Sequence, residues 1–212
     1  AMMVAIFQQT DRIMLKVILN EAETGYYSAA ITCVGVTGFV FLAIIDSFRP
    51  TILEAKKHDL EHYEEKICTL YSIITYLALA QCIVMTVLAK QIVLVLYGSA
   101  YSASVAPLRI AVWYSTFSYY GPVRNIWILA EGKQKYLWVI NLSGVVMNVT
   151  LNAILIPASG ATGAAIATVI SQAVSFIILL MMFLLKKSII KLSIKEISPK
   201  IKVYGEIVKV GF

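Results

Sequence analysis

Six long apolar runs separated by short polar or turn-rich stretches organise this chain of 212 residues. They cover residues 1–19, 26–45, 67–89, 103–130, 136–156 and 160–185. Each has helix length, and none alternates apolar and polar positions as a membrane barrel strand does. A bilayer-crossing helix needs roughly 20 mostly apolar residues. The pattern therefore predicts an all-α, polytopic membrane protein with six transmembrane helices. The connections carry turn residues, notably Asn20 and Gly25, Gly98 with Ser99, Gly132, and Pro157 with Gly160. Around the last of these the chain reads NVTLNAILIPASGATGAAIAT over residues 148–168. Small residues let helix backbones approach closely where lipid removes any hydrophobic gain. Two packed helices joined by a tight turn are expected there.

The loops predict an orientation, because short cytoplasmic loops are rich in Lys and Arg. Loop 49–66 holds Arg49, Lys56, Lys57 and Lys66, the Gly132 turn holds Lys133 and Lys135, and seven lysines follow from Lys186. These are thirteen of the 18 basic residues, and the opposite loops carry Lys90 alone. Arg12, Lys16, Arg109 and Arg124 fall within spans. Loop 49–66, the Gly132 turn and the tail are thus assigned to the cytoplasm. Leu53, Leu60 and Ile67 recur every seven residues, and Lys57 can pair with Glu61, so loop 49–66 reads as helical extensions of its flanking spans. The tail, residues 186–212, is basic and suited to anionic lipid headgroups.

Composition excludes an ordinary soluble domain. The chain is 59% hydrophobic and 14% charged, with mean hydropathy +0.80, against about 45–50% and about 25% for soluble proteins. The net charge of +6 comes without a basic stripe interleaved with aromatics, so no nucleic-acid partner is implied. Cys33, Cys68 and Cys82 lack metal-ligand spacing and read as small buried apolar residues. His58 and His62 stand four apart, but in a polar stretch that reads as a solvated helix face. No metal or cofactor site and no catalytic constellation emerges, which argues against an enzyme. The first run carries Asp11 and Arg12 and lacks an initiating Met, so it reads as a span within a longer protein, not a leader.

Charges inside spans carry the functional signal, because a charge in the bilayer usually faces a cavity or a partner. Asp11 and Arg12 lie eight residues before the end of the first span, about 12 Å deep. Two readings stand for Arg12: a substrate contact, or a structural pair with Asp11. Lys16 reads as snorkelling to the outer surface and Arg109 as an interface anchor. Arg124 sits in YYGPVRN, where Gly121-Pro122 predicts a broken helix with Arg124 and Asn125 beside it. Arginine matches phosphate oxygens bidentately, although Arg124 could equally be a cation near the membrane edge. Asn141, Asn148 and Asn152 share one side of the fifth span and suit interhelical hydrogen bonds.

The stretch FQQTDRIMLKVILNEAETGYYSAA over 7–30 resembles the motif that opens the second half of bacterial polysaccharide repeat-unit flippases. Leu96-Tyr97-Gly98 with Tyr101, then Leu108-Arg109-Ile110, residues 125–130 with Gly132 and Gln134, and LNAILIPASGATGAAIATVIS continue the likeness in order. The whole is similar to the O-antigen (Wzx-type) branch of the multidrug/oligosaccharidyl-lipid/polysaccharide exporter superfamily over roughly residues 5–185. The resemblance implies an exporter of two six-helix lobes, with residues 1–185 as the second lobe and the first lobe missing. It implies an undecaprenyl-pyrophosphate-linked oligosaccharide as substrate, flipped from the inner to the outer leaflet of the bacterial inner membrane. Arg12 with Asp11, and Arg124 with Asn125, are the positions that fit contacts to the pyrophosphate or acidic sugars. Residues 206–212 resemble instead the linker before a new lobe in multidrug extruders, so an ion-coupled drug exporter is the competing function.

Overall fold

The structure, a computed structural model, describes residues 2–58, 60–130, 132, 134 and 137–210, with side chains over 9–58, 61–130, 132, 134, 137 and 141–177. Among the described residues it is helical, with no strand. The helices are α1 (Met2–Ile18), α2 (Glu21–Gly35), α3 (Gly38–His58), α4 (Leu60–Tyr97), α5 (Val105–Ala130) and α6 (Leu137–Val210). A short 3-10 turn, Ser99–Ser104, links α4 to α5. The chain divides into two compact units, residues 1–175 and 176–212. In the second, the backbone is helical to Val210, and the tail lysines lie outside the described side chains.

Local chemistry explains the helix ends. Asn20 has extended backbone and its side chain accepts the Glu23 N–H at 2.9 Å, capping α2. Glu21 and Glu23 in the first turn suit the positive end of the helix dipole. Span two is not one straight helix. It breaks between Gly35 and Gly38, and α2 and α3 meet at a bend of 42°. Two glycines bracket Val36-Thr37, and the Thr37 hydroxyl bonds the Val34 carbonyl at 3.4 Å, competing with the helical ladder. Conversely, α5 is not broken at Gly121-Pro122. Helical backbone runs through Pro122, whose fixed φ suits the helix at the cost of one hydrogen bond. That lost bond leaves the Ser118 carbonyl without its usual helical donor.

α3 reaches His58 and α4 starts at Leu60, so the described residues of loop 49–66 are helical, as its pattern predicts. α4 is 38 residues without a glycine or proline, about 57 Å long. Among the described residues, two helices are long and apolar enough to cross a membrane, Glu61–Tyr97 and Asn141–Ile177, or three if the bent pair α2–α3 is one span, against the six expected. Asn141–Ile177 is itself folded back on its middle. Gly160 has φ +54, open to glycine at no steric cost. The Gly163 α-carbon lies against the Leu155 carbonyl, and a Cβ on Gly144 would sit 2.8 Å from the Ser175 hydroxyl. These pairs straddle Gly160 symmetrically, which defines an antiparallel hairpin.

The core joins Leu15 of α1, Tyr27, Ala30 and Val34 of α2, Cys82 and Val93 of α4, Leu108 and Val112 of α5, and Ala161 and Ala165 of α6. Phe41 stacks on Tyr119 with ring centroids 3.7 Å apart, tying α3 to α5. The outer face of α4 leaves Tyr76, Val87 and Val95 exposed, a surface suited to lipid. Cys33 and Cys82 are buried but Cys68 is exposed, so the reading of all three as buried holds for two.

Candidate functional site

Asp11 and Arg12 are neighbours in sequence and face different surroundings. Asp11 is 3% exposed. Its Oδ2 accepts from the Tyr27 hydroxyl at 2.5 Å and from Thr168 Oγ1 at 2.9 Å. Its Oδ1 accepts from Asn152 Nδ2 at 2.5 Å, and Asn152 also donates to Asn148 Oδ1 at 3.1 Å. One carboxylate thus links α1, α2 and both legs of the α6 hairpin. An ionised carboxylate is an acceptor only, so three neutral donors suit it without a counterion.

Arg12 takes no part in this network. Its Nη1 reaches Gln9 Oε1 at 3.5 Å, and its Nε is buried without a hydrogen-bond partner. Among the described residues no carboxylate pairs with it. Of the two readings open for Arg12, the geometry does not contain the pair with Asp11. Arg12 instead lines a cavity of about 570 Å³ together with Asp11, Gln9, Tyr27, Tyr114, Ser118, Thr168 and Gln172, and with Ile31, Thr32, Gly35 and Val36 along one side. The volume falls in the range of small-ligand sites, about 300–1,000 Å³. Here a cation is presented among hydroxyls and amides. At about 4 Å, one unit charge attracts another by about 1 kcal/mol in water and about 4 kcal/mol near a protein surface.

Arg124 and Asn125 are not in this cavity. Arg124 Nη2 lies 3.5 Å from both Asn125 Oδ1 and Asn141 Oδ1, and its Nε is buried without a partner. This places Arg124 between α5 and the start of α6. Asn152 and Asn141 thus make the interhelical bonds their shared side suggests, the second a long one.

The opposite ends of the helices carry other polar features. Lys16 pairs with Glu21 at 2.9 Å, both exposed. Its ammonium, by hydrogen bond and then charge, holds the Glu21 carboxyl below the usual range. Glu23 Oε2 accepts the Ala161 N–H at 2.7 Å, capping the helix that leaves the Gly160 turn. Tyr26 packs edge-on against Tyr101 at 5.9 Å, so the α1–α2, α4–α5 and Gly160 turns share one end. His58 and His62 are exposed, and no metal-type cluster of His, Cys, Asp and Glu exists among the described residues.

Of the residues lining this cavity, the sequence singled out Asp11 and Arg12 and not Tyr27, Tyr114, Ser118, Thr168 or Gln172. The available signal was polarity inside spans two, four and six, weak because hydroxyls are common in membrane helices. The model of a family described as "Polysaccharide biosynthesis protein" matches residues 1–106, half of the chain. No curated protein and no solved structure gives a significant match.

Proposed function

We propose, on the premise that the chain belongs to the polysaccharide biosynthesis protein family, that it is one lobe of an exporter for lipid-linked oligosaccharide. In this reading residues 1–185 form six transmembrane helices of a multi-pass inner-membrane protein, counting the bent pair α2–α3 once and the α6 hairpin twice. A further lobe completes the cavity, and the basic tail lies on anionic lipid. The substrate is an undecaprenyl-pyrophosphate-linked unit of a surface glycan such as O-antigen, moved from the inner to the outer leaflet.

The observation that carries the reading is Arg12, a guanidinium on a cavity that also presents hydroxyl and amide side chains, with no carboxylate partner among the described residues. A pyrophosphate head crossing a low-dielectric region needs cationic compensation, and a guanidinium supplies it through a bidentate fork. Arg124 and Asn125 offer a second cationic contact outside the cavity. A drug exporter handling organic cations is less well supported. Arg12 repels such cargo, and Asp11, the one carboxylate among the described residues lining the cavity, is already engaged by three donors.

The deciding experiment removes the gene and measures surface glycan. Loss of surface polysaccharide with lipid-linked precursor accumulating in the inner leaflet supports the flippase. Normal glycan together with new sensitivity to cationic dyes would instead point to the drug exporter.

A further inference from the structure

We propose that Tyr114, Ser118 and Gln172 form a subsite for the sugar next to the pyrophosphate, and that the Ser118 carbonyl, freed by Pro122, is its fixed acceptor. The inference rests on the reading of Arg12 as the cation for the head group, and adds which groups recognise the first sugar.

The polar groups around the cavity fall into two sets. One set is engaged by the protein itself. The Tyr27 and Thr168 hydroxyls donate to Asp11, the Thr32 hydroxyl donates to the Ser28 carbonyl at 2.8 Å, and Gln9 Oε1 accepts from Arg12. The other set is not engaged. Tyr114, Ser118 and Gln172 line the same cavity and are half-buried, and none of their side chains hydrogen-bonds another described residue. Ser118 brings a further group. Tyr114, Ser118 and Pro122 are spaced by four and form one stripe of α5. The Ser118 carbonyl points along that stripe toward position 122, where proline offers no N–H and its ring crowds the oxygen outward. Against lipid such a carbonyl would have nothing to accept from. Here it opens beside the cavity that Ser118 lines.

Position and chemistry together select the occupant. The turns after α1, before α5 and at Gly160 share one end, so levels can be compared along the helices. Arg12 lies six residues from Ile18, about 9 Å from that end. Tyr114 and Ser118 lie nine and thirteen residues from Val105, and Gln172 twelve from Gly160, about 14–20 Å from it. The cation and the neutral groups are thus offset along the cavity by the order of one sugar ring, as a pyrophosphate and its first sugar are within one ligand. Hydroxyls and a carboxamide, which both donate and accept, match the hydroxyls of a sugar ring. The Ser118 carbonyl only accepts, so it demands a donor, an O–H or the N–H of an acetamido group. A ring without a donor at that position leaves the carbonyl unmet and is disfavoured.

The test measures equilibrium binding to the full-length protein in lipid nanodiscs. The ligands are a short-chain polyprenyl pyrophosphate, bare or carrying one N-acetylhexosamine. The sugar-bearing ligand should bind the tighter, and the ratio of the two affinities is the readout. Ser118→Ala, Gln172→Ala and Pro122→Ala should each lower that ratio about threefold to tenfold, the weight of one neutral hydrogen bond. Pro122→Ala is the sharpest of the three. It returns an N–H to the Ser118 carbonyl without altering a side chain that lines the cavity, and its melting temperature should not fall. Arg12→Ala should weaken both ligands and keep their ratio. Equal affinity of the two ligands for the unaltered protein, or a ratio that none of the three variants moves, would overturn the sugar subsite and leave the head site standing. Arg12→Ala without effect on either ligand would remove the head site and the placement of the sugar beside it. Should Pro122→Ala melt lower, Ser118→Ala and Gln172→Ala decide the outcome, since each only truncates a half-buried side chain. Should Arg12→Ala fail to insert, Arg12→Lys replaces it, with a partial loss for both ligands expected.

Discussion

Asp11 and Arg12 divide two tasks between adjacent side chains. Asp11 gathers Tyr27, Asn152 and Thr168 around one carboxylate and holds four helical segments together. Asp11→Ala should therefore act on folding. It removes the acceptor that Tyr27, Asn152 and Thr168 share, while Thr168 keeps the Ala164 carbonyl and Asn152 keeps Asn148, so a cost of about 1–3 kcal/mol in all is expected, seen as a lower melting temperature and less protein in the membrane. Arg12→Ala should act on transport, abolishing or strongly reducing glycan export at normal membrane abundance, with Arg12→Lys partly active. The double change Asp11→Asn with Arg12→Gln separates the two views. If the residues merely neutralised one another, export would return. Because Arg12 has no contact with Asp11 in the hydrogen-bond network, export should stay lost. That the two share one helix was legible from the first apolar run. Their directions were not, since neighbours on a helix point about 100° apart and only the packed partners decide which faces the cavity.

Among the helices, the Gly160 hairpin was legible and the α2–α3 break was not. At Gly160 a proline, a serine and small residues cluster, and the turn needs a positive φ. Gly35-Val36-Thr37-Gly38 lies inside an unbroken apolar run, where glycine often marks only close packing. The reverse error was made at Gly121-Pro122, because proline is tolerated in a membrane helix when neighbours support the freed carbonyl. The hairpin yields a sharp test. Gly163 has no room beside the Leu155 carbonyl, so Gly163→Leu should force the legs apart and cost about 1–3 kcal/mol by overpacking. Reduced thermal stability of the purified protein would record it. Glu23→Ala removes the cap on Ala161 and should cost about 1 kcal/mol. A Gly163→Leu protein that melts normally would contradict the hairpin.

For the lobe as a unit, the basic loops set the orientation to be checked. Single cysteines at His58 and Ser159, in a background without native cysteines, should label from opposite sides with an impermeant thiol reagent. Label at His58 from outside intact cells would reverse the topology. On the proposed two-lobe reading, in which another lobe closes the cavity at Arg12, residues 1–212 expressed alone should insert and restore no glycan export to a flippase-deficient cell. Export by this segment alone would refute the two-lobe reading. One mechanical property remains in α4. A rod of about 57 Å exceeds a hydrocarbon core of about 30 Å, so roughly half of it stands clear of the hydrocarbon. It has neither glycine nor proline at which to kink. A swing of about 20° about one end displaces the other by roughly 20 Å. The charged tip around Glu61 is thus the long arm of a lever whose other end packs into the core at Cys82 and Val93.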